Sequence, residues 1–262
     1  MPDTVSTPLN GRVALVTGSS RGVGRGIALR LAADGAAVAV NYRRDADAAA
    51  DVVAEIEKAG GRAAAYQASI DDQPAVEEMV AAVRRDLGPV SIVVSNAGTA
   101  SRGNLVADTP RDEFLSLLDV HVLGPIFLVQ AVLPDLRAAG RGDVVMVSSN
   151  TVDTTPARGA SYTMAKGAME TAVRTLAREE RRSGIRANIV APGLVATEMG
   201  RRLVQASTGG DLDDLSASSP FGRVCTPEDV AGAVAWLVSD SASYITGQRI
   251  FVDGGGRDAA FF

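Results

Sequence analysis

The sequence predicts a single-domain α/β fold: a doubly wound parallel sheet of about seven strands with helices on both faces. Three observations predict it. Short apolar runs recur without polar alternation, as strands do when both faces of their sheet are covered. Stretches with apolar residues at helical spacing separate them. The first run, residues 13–16, enters a glycine turn, Gly18-x-x-x-Gly22-x-Gly24, and leaves it on a helical pattern of Ile27, Ala28, Leu31 and Ala32. At 262 residues one such domain is the natural reading of the length.

Each element has its own signal. Residues 36–40 are an apolar second strand. Ala48, Val52, Ile56 and Ala59 form a helical stripe over 45–59, which Gly60-Gly61 ends. Residues 62–67 read as a third strand. Asp71 or Asp72 caps the next helix, with Pro74 in its first turn and Val76, Val80, Val83 and Leu87 on its inner face; Gly88-Pro89 stops it. Residues 91–94 are a fourth strand. A long helical stretch covers about 111–138, and Pro125 inside it should kink or locally unwind it. Strands follow at 143–147, 186–190 and 249–252, with a helix at 161–182 and another behind the Thr226-Pro227 cap, carrying Val230, Val234, Leu237 and Val238. Residues 1–10 read as a disordered tail and 11–262 as the domain. Residues 200–219, rich in Gly, Ser and Asp, read as part of a lid spanning about 198–221.

Composition limits the function. The chain is 46% hydrophobic and 22% charged, as soluble globular proteins are, and its net charge of −5 argues against general affinity for nucleic acid or anionic membrane. One cysteine, Cys225, and one histidine, His121, leave no intrachain disulfide, no cysteine cluster and no multi-histidine metal site. The first ten residues lack the apolar core of a signal peptide, and no apolar run reaches membrane-spanning length. The expectation is a cytoplasmic enzyme that needs no metal.

The glycine turn is suited to a dinucleotide. Gly18 bends the chain, Gly22 lets backbone approach a pyrophosphate, and Gly24 lets the helix lie close on the strand, so that phosphates meet the helix N-terminus. Tyr162 and Lys166, four apart, share a helix face. Their free pKa values are about 10 and 10.4. A lysine cation beside the phenol favours the phenolate and lets the tyrosine exchange a proton with an alcohol or carbonyl oxygen. Ser149 lies thirteen residues upstream, at the end of a strand; its neighbour Ser148 is expected to bond to backbone.

Together these motifs resemble the short-chain dehydrogenase/reductase family, with its Rossmann-like fold. The matches are Thr17-Gly-x-x-x-Gly-x-Gly, Ser95-Asn96-Ala97-Gly98, the Ser149–Tyr162–Lys166 set, Pro192-Gly193 with Thr197, and the segment from Ser243-Tyr244-Ile245-Thr246-Gly247 to Val252-Asp253-Gly254-Gly255. They span residues 12–256. Within the family the pattern is similar to the 3-oxoacyl-acyl-carrier-protein reductases and the glucose dehydrogenases. The resemblance implies hydride transfer between nicotinamide and a carbonyl or secondary alcohol. Tyr162 is then the proton donor, Lys166 lowers the tyrosine pKa and holds the nicotinamide ribose, and Ser149 polarises the substrate oxygen. It also implies cofactor contacts from Gly18, Ser20, Arg21, Gly22, Val23 and Gly24; from Asn41, Tyr42 and Arg43; from Ser69 and Ile70; from Asn96, Ala97 and Gly98; from Tyr162 and Lys166; and from Pro192, Gly193, Val195 and Thr197. The substrate is a small molecule or an acyl thioester, possible 3-oxoacyl-thioester reduction being set against a sugar or other small-alcohol dehydrogenase. A non-catalytic cofactor sensor is the rival from another class, and a homotetramer the expected assembly.

The sequence departs from the family at two places. His121 stands where an asparagine is usual, either as a proton carrier or as a residue that holds the helix open so that its backbone carbonyl binds a water. Ser69 stands where an aspartate often meets the adenine. The end of the second strand, Val40-Asn41-Tyr42-Arg43-Arg44, lacks the carboxylate that binds the ribose diol of NAD. A 2′-phosphate would meet Arg21 and Arg43, with Asn41 and Ser20 as neutral donors, so the expected cofactor is NADP(H), with NAD(H) the alternative.

Overall fold

Seven strands, all parallel, stand in the order β3-β2-β1-β4-β5-β6-β7. They are β1 Val13–Val16, β2 Ala37–Tyr42, β3 Arg62–Gln67, β4 Ile92–Ser95, β5 Gly142–Val147, β6 Ile185–Pro192 and β7 Arg249–Val252. The helices between them are α1 Gly22–Ala33, α2 Ala46–Lys58, α3 Gln73–Asp86, α4 Arg111–Leu118, α5 Gly124–Ala138, α6 Thr151–Thr154, α7 Ala160–Glu180, α8 Glu198–Thr208 and α9 Pro227–Val238. This computed structural model describes residues 8–256. The tail read as residues 1–10 lies outside it up to residue 7. From there Leu9 is buried, and its N–H donates to the Asp34 carbonyl at 2.9 Å. The packed chain therefore begins before residue 11.

The five inner strands, β1, β2, β4, β5 and β6, read as unbroken apolar runs because they are covered on both sides, whereas the edge strands β3 and β7 are partly exposed. Ala14 and Val16 of β1 join Ile27, Leu31, Val52 and Val234 in a core under α1, α2 and α9. Val13 and Leu15 face the other way, into a core with Val80, Leu128, Leu136 and Val173 under α3, α5 and α7. Caps start the helices: Asp45 accepts from Ala48 N–H, Asp72 from Ala75 N–H, and Thr226 forms a reciprocal capping box with Asp229.

The long helical stretch is divided by a π-helical turn, Asp119–Leu123, between α4 and α5. The break falls just ahead of Pro125, which has no N–H to return to the His121 carbonyl. The run Arg111–Ala138 is 28 residues long and by length and composition apolar enough to cross a membrane, which corrects the expectation that no segment has that reach. Its Leu117, Val120, Leu128, Val132 and Leu136 are buried inside the protein. The stretch read as a lid is mostly helical, α8 followed by short 3₁₀ turns. The sequence pattern also does not announce α6 or a 3₁₀ turn at Val106–Asp108.

Candidate active site

The strand order reverses between β1 and β4, and the turns that follow these two strands meet there. Thr17, at the end of β1, accepts on its hydroxyl from the N–H groups of Asn96 and Ala97, both at 3.0 Å. Asn96 Nδ2 donates back to the carbonyls of Thr17 (3.0 Å) and Gly18 (3.2 Å). Gly18 has φ +61°, and a Cβ on it would stand 2.9 Å from the Ala97 Cα. A Cβ on Gly24 would stand 2.4 Å from the Gly18 carbonyl oxygen, so helix and turn close only on glycine.

The turn fits a dinucleotide phosphate. No side chain caps α1, leaving first-turn N–H groups available, and a Cβ at Gly22 would point toward Thr197 at 3.5 Å, narrowing the gap between the turn and the start of α8. Ser20 and Val23 are half-buried beside it, Val23 against the core. Among the described residues no cluster of His, Cys, Asp and Glu could hold a metal ion.

The pocket expected for a 2′-phosphate differs from the sequence reading. Asn41 is buried and its side chain is fully engaged: Oδ1 accepts from Gly18 N–H at 3.1 Å, and Nδ2 donates to the carbonyls of Ala68 (3.1 Å) and Tyr66 (3.3 Å). Asn41 is therefore a brace beneath the glycine turn and not a free donor to a phosphate. Arg21 is paired with Asp45 and, at 3.5 Å, with Glu198 at the start of α8. Arg43 is exposed and has no ion-pair partner among the described residues; Tyr42 is half-buried against the core. Ser69 donates to Asp71, and Ile70 is buried, its carbonyl 2.4 Å from where a Cβ on Gly124 would be.

Beyond β5 the residues with chemistry converge. Ser149 accepts on Oγ from the Thr151 N–H (3.2 Å) and the Thr151 hydroxyl (3.0 Å), and it hydrogen-bonds to the Tyr162 phenol. Lys166 is fully buried; its Nζ donates to the Val147 carbonyl at 2.7 Å and lies 5.7 Å from the Tyr162 ring centroid. Burial pushes the phenol up to about 12, against the smaller opposing effect of Ser149. Burial also brings Lys166 down to about 8, partly offset by Glu170. The two influences on the phenol here are burial and Ser149, so the expected lowering by Lys166 belongs to the proposed mechanism below. Ser148 bonds to backbone through its N–H, which donates to the Val190 carbonyl at 2.7 Å, while its hydroxyl donates to the buried Glu170 carboxylate at 2.6 Å.

His121 lies in the π turn, edge-on to Tyr162 with ring centroids 5.3 Å apart. Its Nε2 is 2.8 Å from the Thr99 carbonyl and 3.3 Å from the Thr99 N. One nitrogen cannot serve both, and the shorter contact makes Nε2 the donor; Nδ1 is buried without a partner. Burial first, then the Lys166 charge, holds its pKa at about 3, so the ring is neutral. A Cβ on Gly98 would stand 2.5 Å from the ring, so His121 fills the space which that glycine leaves. On the far wall, β6 runs to Pro192, the Gly193 N–H donates to Val252 O at 3.1 Å, Val195 bridges to Cys225, and Thr197 caps α8 through Gly200 N–H.

Three residues not singled out from the sequence shape this wall. Glu113 is buried and accepts from the Ser161 hydroxyl (2.8 Å), Arg102 N–H (3.0 Å) and Asn104 (3.2 Å), tying the loop after β4 to the start of α7 beside Tyr162. Glu170 and Arg249 sit beneath the serines. Isolated acids and arginines have no spacing signature; only the α7 register, Tyr162, Lys166, Glu170, hints at one of them.

Comparison with known proteins gives a consistent picture. The family described as Enoyl-(Acyl carrier protein) reductase matches residues 18–256. The versicolorin reductase of Emericella nidulans is 40% identical over 94% of this chain and 96% of its own length. A 3-oxoacyl-[acyl-carrier-protein] reductase of Staphylococcus epidermidis is 37% identical over 92% and 97%. Among solved structures, L-sorbose reductase from Gluconobacter frateurii, complexed with NADPH and L-sorbose, superposes with a TM-score of 0.88 at 28% identity, covering 95% of this chain and 97% of that one.

Proposed function

Because this chain belongs to the short-chain dehydrogenase/reductase family of oxidoreductases, we propose that it is an NADP(H)-preferring reductase of a ketone or aldehyde carbonyl that works through Ser149, Tyr162 and Lys166. The observation that carries the reading is the meeting of these three side chains beyond β5. When bound, the nicotinamide supplies the hydride in reduction or accepts it in the reverse direction. Gly18 to Gly24 and the α1 N-terminus would hold its phosphates, Arg43 and Arg21 its 2′-phosphate, and Lys166 its ribose.

Tyr162 Oη gives its proton to the carbonyl oxygen. A phenol at about 12 holds that proton throughout the neutral range, which suits reduction better than alcohol oxidation. With both lone pairs taken by Thr151, the Ser149 hydroxyl turns its own proton outward, toward the phenol and substrate oxygens. Lys166, cationic below about 8, stabilises the phenolate that remains after proton transfer. The substrate class we favour is a 3-oxoacyl thioester, supported by the S. epidermidis relative's name; a sugar or small alcohol is the second reading, supported by the L-sorbose complex of the structural neighbour. Retention of both Tyr162 and Lys166 speaks against a non-catalytic sensor.

The test is NADPH oxidation by the purified enzyme against 3-oxoacyl thioesters, diketones, quinones and sugars. Tyr162→Phe should keep cofactor binding and lose turnover; near-wild-type turnover would discard the mechanism. Arg43→Ala should weaken NADPH by about 1.5–3 kcal/mol and NADH little, because a phosphate–guanidinium contact is a charge-assisted bond. Arg21→Ala should cost less, since Arg21 already pairs with Asp45. Titration showing NADH bound at least as tightly as NADPH to the unmodified protein would overturn the cofactor assignment.

A further inference from the structure

A lysine ammonium taken wholly out of water costs several kcal/mol unless another charge answers it. Lys166 is in that position. The groups around it are few. From β5 comes the Val147 carbonyl; from the π turn, the neutral His121; from its own helix, Tyr162 and Glu170. Glu170 lies four residues beyond Lys166, on the same face of α7, and is buried. It is the carboxylate whose charge acts on Lys166.

Glu170 is itself held by three groups. Oε1 accepts from the Ser148 hydroxyl at 2.6 Å and faces Arg249 Nε at 3.1 Å; Oε2 accepts from Arg174 at 3.1 Å. Arg249, from the last strand, has its guanidinium over the Phe251 ring at 4.4 Å. It reaches Asp153 of α6 at 2.5 Å and donates from Nη2 to the Ser149 carbonyl at 2.9 Å. One guanidinium thus touches the backbone of the proposed catalytic serine, and the carboxylate it pairs with faces the proposed catalytic lysine.

We propose that Glu170 and Arg249 are positioning residues for the reaction: Glu170 supplies the counter-charge that keeps Lys166 cationic, and Arg249 sets the strength of that charge while fixing the Ser149 backbone. This rests on the roles given to Lys166 and Ser149 above. The pair explains why a largely covered arginine from β7 is placed beneath a serine just beyond β5, where an apolar residue would fill the space without desolvation cost. It also makes the two substitutions act in opposite directions. Loss of the carboxylate lowers the proton affinity of Lys166. Loss of the guanidinium leaves Glu170 less neutralised and raises it.

The sequence holds two lysines, Lys58 and Lys166, and Lys58 is exposed. The Cε resonances of ¹³C-lysine-labelled full-length protein therefore report Lys166 directly, with Lys58 as internal reference. In the wild type Lys166 should titrate near 8. Glu170→Gln should move that midpoint down by about one unit, the lower end of the effect of an adjacent opposite charge. Glu170→Asp should restore most of it, and Arg249→Gln should move it up. A Glu170→Gln curve that overlays the wild type would overturn the proposal. Should Glu170→Gln not fold, Arg249→Gln decides: an upward shift supports the pair, and no shift or a downward one overturns it. The measurement needs no turnover, so failure of every carbonyl substrate would remove the proposed function while leaving the ion-pair result to stand or fall separately. In the active enzyme the alkaline limb of kcat should follow the NMR midpoint in each variant, which a purely structural role would not produce.

Discussion

Tyr162 and Lys166 share one helix face, and burial drives their proton affinities apart, the phenol up to about 12 and the ammonium down to about 8. The lysine loses its charge first as pH rises. Carbonyl reduction should therefore be level across the neutral range and decline above about pH 8, because the phenolate left by proton transfer loses its cation. A rate that climbs steadily through pH 9 would contradict this. His121 is held at about 3 and stays neutral, so it contributes no limb between pH 6 and 7. His121→Asn should keep most of the turnover and the same profile, since an amide can donate to the Thr99 carbonyl as Nε2 does. Loss of a limb in that variant would show that the imidazole carries protons. The Tyr/Lys register and the serine spacing were readable in the sequence because they are short-range patterns. The charge states were not, because burial depends on residues far away in the chain: His121 meets Thr99 and Gly98, and Glu170 meets Arg249. Asn41 was misread for the same reason. A polar residue at a strand end reads as available, but its amide is used by Gly18, Tyr66 and Ala68.

Elements announced by caps and glycines fell where the sequence placed them. Asp45, Asp72 and the Thr226-Pro227 pair start α2, α3 and α9. Thr226 and Asp229 satisfy each other's backbone N–H, and α9 packs on α1 in the core beneath the glycine turn. Thr226→Ala should destabilise by about 1 kcal/mol, which for a domain of this size lowers Tm by roughly 2–4 °C. An unchanged calorimetric Tm would show that Asp229 alone holds the cap. The long helix was harder to read. Pro125 marked a break, but the extra residue of the π turn is accommodated by Gly124 lying against the Ile70 carbonyl, a contact between distant segments. For residues 200–219 the composition leaves loop and helix both open, because Gly, Ser and Asp lower propensity without preventing α8, which Thr197 caps. Short turns such as α6 have no period to detect.

At the scale of the molecule, the parallel sheet was legible because two-sided burial removes alternation from its five inner strands. The expected assembly needs surface that the chain's own core does not use, and Leu117, Met169 and Val173 of α4 and α7 are spent in that core. What those segments leave outside is different: Leu115 at 39% exposure, Leu123 at 42% and Met164 at 46%. A second apolar group lies at the sheet edge, where β7 is the last strand among the described residues: Phe251 at 48% and Tyr244 fully exposed. The terminal Phe261-Phe262 lies outside the described residues. Two separate apolar patches on one chain suit two isologous interfaces, and a pair of perpendicular two-fold contacts closes into a tetramer. We expect light scattering at micromolar concentration to give four times the chain mass, with Leu123→Asp reducing it to twice by removing one interface and leaving the other. Each interface must bury on the order of 1,000 Å² or more to persist at that concentration. A monomer in the unmodified protein would refute the tetramer, and a tetramer that survives Leu123→Asp would move the first interface away from the π turn.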